Sequence, residues 1–445
     1  MTTVVTDTRR SRIVVLASCL GFFLINLDAT IVTVALPVIG ERLGAGVSGL
    51  QWVVAGYTLA FAGLLLTAGS VSDRVGATRV FGYGLLAFSA ASAACGFASD
   101  TGFLIVARVL QGAAAAAVLP ASLALLRQSL PDPAARAKAI AIWAAGGGAA
   151  VAAGPLAGGF LTARFGWEAI FFVNVPFALL AILGLSRADR STRQRSPIDL
   201  RGQIAAVVAL TAFTFAVIEI APMGLTSPAV YVPLLVAVAA ALWFTRVDLR
   251  ELRSRVFVSC LSTGFALNFA YYGIMFVFSI VFQQERGWSP LMTGLSFLPL
   301  TAVVLASNIA GGKLTALIGP RLPMAGAQLL EATGFLGVLL VGAHGPTWLL
   351  LLAMVPIGVG GGLASPPMMT ALLESVAAER AGVVSGLLSS CRQAGGVLGV
   401  AVFGVLVSAT GFETGFRVSA GLAAALLGAA AVAAFRNITP GVPGP

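Results

Sequence analysis

Residues 13–38, IVVLASCLGFFLINLDATIVTVALPV, decide the fold. The run exceeds the about 20 apolar residues that carry a helix across a hydrocarbon layer of about 30 Å. Its one charge, Asp28, lies well inside it. Outward from this run, similar ones fill almost the whole chain. Fourteen are expected as spans, at 13–38, 50–70, 79–98, 103–125, 139–161, 168–186, 200–220, 229–247, 257–282, 292–312, 322–343, 347–371, 382–408 and 415–435. The loops between them are too short to hold a soluble domain.

Composition agrees. Of 445 residues, 10% are charged and 58% hydrophobic, against about 25% and 45–50% in soluble domains. With a mean hydropathy of +0.97, such a chain has too few ionisable side chains to cover a water-facing exterior. The net charge of +10 would raise nucleic acid as a partner in a soluble protein; here the basic residues are placed by topology, and no nucleic acid is expected. One histidine, His344, and four cysteines inside apolar runs (Cys19, Cys95, Cys260, Cys391) show neither a metal cluster nor a disulfide framework. No metal or cofactor is expected.

Lys and Arg in short loops stay on the cytoplasmic side. With the N-terminus inside, 21 basic residues fall in cytoplasmic loops and 4 outside (Arg42, Arg164, Arg286, Arg417). An even number of spans, with both termini in the cytoplasm, keeps that split. A signal peptide at Arg9, Arg10 and Arg12 fits poorly, because the following run is longer than a signal core and holds Asp28.

The chain repeats itself. Leu119-Pro120-Ala121-Ser122-Leu123-Ala124-Leu125-Leu126, closing the fourth span, returns as Pro366-Pro367-Met368-Met369-Thr370-Ala371-Leu372-Leu373, closing the twelfth. A fainter echo of Gly69 through Arg79 appears at Gly312-Lys313-Leu314, Gly319 and Arg321. Two six-helix halves are expected, at 1–190 and 251–445, with two inserted helices at 191–250 bracketed by arginine-rich linkers. Duplication of this kind marks secondary transporters, whose site lies between the repeats.

Ionisable groups within spans cost about 2.5–3.5 kcal/mol on insertion scales, so each is a functional candidate. They are Asp28, Arg108, Glu219, Glu331 and Arg392. Asp28 either carries a proton, holds a cationic substrate, or forms a buried ion pair with Arg108, which lies at similar depth; the readings are compatible if the pair breaks and reforms. Glu219 is a gating candidate or an interfacial acid that snorkels. Glu331, beside Gln328, fits a polar cavity or a proton role. Arg392 contacts substrate, locks the cytoplasmic gate or snorkels. In the fifth span, Gly154, Pro155, Gly158 and Gly159 allow close helix approach and a bend, or static packing. A cavity lined by aromatic and amide residues is expected from Asn26, Gln51, Trp52, Tyr57, Gln111, Asn268, Tyr271 and Tyr272.

These stretches resemble the fourteen-span drug/proton antiporter branch of the major facilitator superfamily, near actinobacterial exporters of the methylenomycin-resistance type. The likeness is carried by Leu27-Asp28-Ala29-Thr30 with Ala35-Leu36-Pro37, by Arg108-Val109-Leu110-Gln111-Gly112, by Gly154-Pro155-Leu156-Ala157-Gly158-Gly159, and by Trp167 through Pro176. The loop Gly69-Ser70-Val71-Ser72-Asp73-Arg74-Val75-Gly76-Ala77-Thr78-Arg79 resembles the superfamily's signature loop, with Ala77 and Thr78 where basic residues are usual. Arg392-Gln393-Ala394-Gly395-Gly396 resembles the thirteenth-helix motif. The resemblance implies an all-α major facilitator fold with 14 helices (6 + 2 + 6). It implies Asp28 and Arg108 in proton coupling, Asp73, Arg74, Arg79 and Arg392 in a cytoplasmic latch, and Gly154 with Pro155 as hinge. The resemblance also implies a proton gradient as the energy source.

The expected activity is proton-coupled export of small amphipathic drugs by a monomeric protein of the bacterial inner membrane. Rivals are a permease or exporter of a sugar or organic acid, disfavoured by the fifth-span Gly-Pro cluster, and an intramembrane lipid-modifying enzyme, which would show paired loop carboxylates or a His-rich site. No phosphate-binding Gly-x-x-x-x-Gly-Lys-Ser/Thr loop is present for ATP-driven pumping.

Overall fold

The computed structural model describes residues 8–130, 132–185, 200–244, 254–376 and 381–438. These hold sixteen α-helices. The linker arginines Arg187, Arg190, Arg193, Arg195, Arg246, Arg250 and Arg253, and the loop residue Arg380, lie outside the described residues.

The first seven helices are α1 (Thr8–Leu43), α2 (Val47–Val75), α3 (Ala77–Gly96), α4 (Thr101–Ser129), α5 (Pro133–Phe165), α6 (Ala169–Phe172) and α7 (Asn174–Leu185). The pair α8 (Leu200–Met223) and α9 (Pro228–Phe244) follows. The remainder are α10 (Arg255–Ile280), α11 (Pro290–Ser296), α12 (Leu298–Ile318), α13 (Arg321–Val341), α14 (Thr347–Glu374), α15 (Ala381–Thr410) and α16 (Phe412–Asn437).

Local chemistry sets the boundaries. Asp100 and Asp132 cap α4 and α5 by accepting from Phe103 N and Ala135 N, each at 2.9 Å, with Pro133 in the first turn of α5 where its missing N–H costs nothing. Gly44, at φ +63°, turns the chain after α1 in a backbone region that other residues enter at a cost.

Two expected spans are broken. The sixth divides at Val173 into α6 and α7, and the tenth at Phe297 into α11 and α12. Each break precedes a proline, Pro176 or Pro299, whose ring has no N–H for the preceding turn. The ninth runs on from α10 into a single π-helical turn, Val281–Glu285.

Among the described residues, eleven helices are long and apolar enough to cross a membrane. Three of the fourteen expected spans stay below that mark. Arg79, serines and glycines dilute α3, while 169–185 and 228–243 form shorter apolar helices. The chain is an all-helical, multi-pass membrane protein.

The helix pairings recur along the chain. Among α1–α7, α1 rests on α5 and α7, α4 on α2 and α3, and α3 on α7. Among α10–α16, α10 rests on α15 and α16, α14 on α12 and α13, and α13 on α16. Even the close contacts repeat. A Cβ at Gly154 would stand 2.0 Å from Thr30 Oγ1, and one at Gly158 2.3 Å from the Ile31 carbonyl; at Gly395 and Gly399 the same atom would meet the Phe265 and Phe269 carbonyls at 2.3 and 2.1 Å. In lipid, where apolar burial drives little association, such close backbone approach is what holds helices together.

Between these two groups, α5 meets α11 and α12, α2 meets α15, and α1 meets α10. Helix α8 lies over the α2–α15 seam, where Ala55, Leu59, Ile218, Val397 and Ala401 form one buried cluster.

Candidate functional site

Asp28 anchors the site. Its neighbours on α1 turn their polar groups back to their own helix: Asn26 Nδ2 donates to Phe22 O at 2.8 Å, and Thr30 Oγ1 donates to Asn26 O at 3.2 Å. The carboxylate instead faces α4 and α7. Arg108 and Gln111 stand one turn apart on α4, so both reach it. Arg108 Nη1 donates to Asp28 Oδ2 at 2.7 Å, and Gln111 Nε2 donates to Asp28 Oδ1 at 2.8 Å. Asn174, the first residue of α7, donates to Oδ1 from the other side at 2.7 Å.

The outer members hold the inner ones. Arg108 Nη1 also donates to Gln111 Oε1 at 2.7 Å, which fixes the carboxamide with its N–H groups toward Asp28. Arg108 Nε donates to Val53 O at 3.2 Å, and the guanidinium lies 4.2 Å from the Tyr57 ring centre. Asn174 Nδ2 is 3.0 Å from Ser92 Oγ, which itself donates to Phe171 O at 2.8 Å. Asp28, Gln111 and Asn174 are fully buried and Arg108 is 1% exposed.

An ion pair removed from water is tolerated only when its remaining lone pairs and protons are also matched. That condition holds here. Asp28 receives three donors, and Arg108 is held by a carboxylate, two carbonyl-type oxygens and a ring face. The arrangement is neutral while Asp28 is ionised; protonating Asp28 leaves the Arg108 charge uncompensated in a low-dielectric interior. One carboxylate therefore holds α1, α4 and α7 together.

Asn174 and Ser92 were not among the expected site residues. A single amide in the apolar run around Phe171 and Phe172 was the available signal for Asn174. Tyr57 and Gln111, expected in the cavity wall, contact this network.

Other expected residues lie elsewhere. Gln51, also expected in the cavity wall, is 1% exposed and ties α2 to α15: its Nε2 donates to Val400 O at 3.1 Å and Ala401 O at 2.6 Å. Glu219 accepts from Trp52 Nε1 at 3.0 Å and Ser48 Oγ at 3.4 Å, fastening α8 to α2. Those bonds occupy Trp52 and give Glu219 a tethering contact. Asn268 donates to Gly264 O of its own helix, and Tyr271 and Tyr272 meet edge to face at 5.4 Å. Glu331 is fully buried on α13, away from the Asp28 network.

The latch residues divide. Asp73, Arg74 and Arg79 are exposed at the α2–α3 turn, while Arg392 is half-buried on α15 with its stem beside Gly264. Helix α5 is continuous through Pro155. Gly154 and Gly158 press on α1, and a Cβ at Gly159 would stand 2.4 Å from the Pro290 carbonyl of α11. The expected hinge residues thus make close contacts with both α1 and α11. Among the described residues no group of three or more His, Cys, Asp or Glu is placed to hold a metal ion.

Comparison with known proteins adds the lineage. A model of the Major Facilitator Superfamily matches residues 18–400. The chain is 33% identical over 413 residues to a methylenomycin A resistance protein of Streptomyces coelicolor, covering 90% of this chain and 86% of that one. It is 36% identical over 412 residues to the multidrug resistance protein Stp of Mycobacterium tuberculosis, covering 90% and 76%. Among solved structures, a bacterial homologue of the human lysosomal transporter Spinster, inward-facing and unoccupied, aligns with a TM-score of 0.70 at 18% identity, covering 97% of each chain. The xylose transporter XylE of E. coli, in an inward-open form, aligns with a TM-score of 0.69 at 15% identity, covering 96% of each.

Proposed function

The chain belongs to the Major Facilitator Superfamily, and from that premise we propose that it exports small amphipathic drugs or antibiotics from the cytoplasm in exchange for protons. Likeness over 90% of its length to proteins named for resistance and multidrug resistance carries the reading. The Asp28 network supplies a means of coupling.

In the proposed cycle a proton from outside binds Asp28, and its ion pair with Arg108 is lost. Gln111 and Asn174 still donate to the neutral acid, so the carboxyl stays placed while Arg108 is freed to shift against Tyr57 and Val53 O. Loss of the proton to the cytoplasm restores the pair. The transported compound moves outward as the halves rock, the alternating access that duplicated transporters use. Gly154, Pro155, Gly158 and Gly159 form the surface on which α5 moves against α1 and α11. Asp73, Arg74, Arg79 and Arg392 serve the cytoplasmic latch, and Glu219 with Trp52 carries the motion of α2 to α8.

The finer architecture is part of the proposal. Eleven long spans, α3 and the two shorter apolar helices make fourteen crossings, arranged as halves 1–190 and 251–445 around the inserted pair at 191–250. The recurring helix pairings support that division. The excess of basic residues in alternate loops supports cytoplasmic termini in a bacterial inner membrane, and the protein acts as a monomer.

The test is accumulation of a panel of fluorescent and radiolabelled antibiotics in a pump-deficient bacterial host. Wild type lowers accumulation of at least one compound, and a protonophore abolishes the effect. Equal accumulation with and without the protein across the panel would overturn the reading.

A further inference from the structure

Helix α8 meets its two neighbours, α2 and α15, through different chemistry. Toward α2 it is bonded near both ends. Gln203 Nε2 donates to Gly63 O at 2.5 Å and Gln203 Oε1 accepts from Thr67 Oγ1, so both ends of one amide are spent on α2. One turn on, Val207 stands so close that a Cβ at Gly63 would lie 2.8 Å from its Cγ2. Near the close of α8, Glu219 accepts from Trp52 Nε1 and Ser48 Oγ, and the Phe215 ring centre lies 5.6 Å from that of Trp52. About 24 Å of helix separates Gln203 from Glu219, most of a hydrocarbon layer of about 30 Å.

Toward α15 the contact is smooth. Leu210, Val217 and Ile218 lie with Val397 and Ala401 in one apolar cluster, and no hydrogen bond joins α8 to α15 among the described residues. Thr214 shares that stripe and is fully buried, yet its hydroxyl has no partner among the described residues. Off the stripe, Ile204 and Val208 are exposed, and α9 packs along α8.

In lipid the two kinds of contact differ in what it costs to leave them. A hydrogen bond broken within a span finds no water to replace it. An apolar face loses little by sliding, because acyl chains are as apolar as the side chains it leaves. Motion between α2 and α15 therefore carries α8 with α2. The seam beneath α8 is lightly tied, by the Gln51 bonds and by Ser390 Oγ, which reaches Ala62 O only at 3.5 Å. Acyl chains would wedge into such a seam wherever rocking halves parted it. Resting on the export reading above, we propose that α8, backed by α9, is a sliding shutter. Fixed to α2, it travels along α15 and keeps acyl chains out of the seam throughout the transport cycle.

Cross-links in the full-length protein test the motion. A Cβ at Gly63 would stand 3.7 Å from Val207 Cβ, within the about 3.5–4.5 Å that a disulfide spans. Oxidising Gly63→Cys with Val207→Cys therefore fixes α8 to α2 and leaves efflux unchanged. Ile218→Cys with Val397→Cys or Ala401→Cys, joined by a short bis-methanethiosulfonate, fixes α8 to α15. Efflux then stops and returns on reduction, which shows that the bridged protein is folded, while single-cysteine controls treated alike keep their efflux.

A lipid reagent tests the seal. In vesicles containing a phosphatidylcholine with a diazirine midway along one acyl chain, light places adducts on Ile204 and Val208 of wild type and none on Leu59 or Val397, which are buried under α8. Gln203→Leu with Glu219→Gln releases α8 from α2 and brings adducts to both. Efflux lost on bridging 63 to 207, efflux kept on bridging Ile218 to α15, or no bridge at either place would each overturn the shutter. Wild-type adducts on Leu59 or Val397, or none there in the double variant, would do the same. The export reading fails separately: if no compound is exported, export falls and the adduct pattern still decides the shutter.

Discussion

Arg108 Nη1 stands 2.7 Å from Asp28 Oδ2, with neither side chain more than 2% exposed. The pair joins α1 to α4 across the interior of the first half, and Asn174 brings α7 to the same carboxylate. One carboxylate therefore ties three helices together.

Asp28→Asn removes the charge and keeps the shape, so Arg108 is left buried without its counter-ion. Breaking one side of a buried pair costs about 3–5 kcal/mol. The expected outcome is a lower thermal midpoint in detergent together with loss of proton-driven efflux. Adding Arg108→Gln relieves the stranded charge and recovers part of the stability without recovering transport. A double variant no more stable than Asp28→Asn would refute the account of the pair.

Asn174→Ala deletes one of the two amide donors to Asp28 Oδ1, leaving that buried oxygen one donor short, while Ser92 Oγ keeps its bond to Phe171 O. A buried polar group left unmatched costs about 1–3 kcal/mol. The thermal midpoint in detergent drops and efflux falls. An unchanged midpoint and unchanged efflux in Asn174→Ala would place Asn174 outside the coupling network.

Much of this was legible in the chain. A lone acid within an apolar run and a lone arginine within another are rare and costly, so Asp28 and Arg108 stood out by position. Gln111 follows Arg108 by three residues, and that spacing put it on the same face, yet nothing in the spacing said which partner the amide would choose. Gln51 was harder. Its partners are backbone carbonyls 349 and 350 residues further along, and a carbonyl is the same at every position. The breaks at Val173 and Phe297 had a local cause in Pro176 and Pro299, which averaging over a whole span conceals.

Gly158→Ala tests the α1–α5 contact. The added methyl would sit 2.3 Å from the Ile31 carbonyl oxygen, with rigid backbone on the other side. Overpacking a tight contact costs about 1–3 kcal/mol. Gly399→Ala, 2.1 Å from the Phe269 carbonyl, has the same effect in the second half, whereas Gly146→Ala meets nothing within 4 Å and is neutral. Thermal midpoints of the three variants, with efflux measured beside them, check the ranking. A neutral Gly158→Ala would show that α5 is free to move away from α1.

Gln51→Leu removes the side chain that fastens α2 to α15 across the halves. A typical hydrogen bond contributes about 0.5–1.5 kcal/mol net, so losing two bonds shifts the equilibrium between joined and parted halves by about 1–3 kcal/mol, or about 5- to 150-fold. The Val400 and Ala401 carbonyls lie within α15, so the shift reflects the lost tie rather than a disrupted helix. Spin labels at Arg164→Cys and Met292→Cys, both exposed positions near the α5–α11 contact, report the separation by pulsed electron resonance. In Gln51→Leu the longer-distance population grows at the expense of the shorter. Identical distance distributions in the two proteins would mean that α5 and α11 hold the halves together without this bond, and that Gln51 serves only local packing.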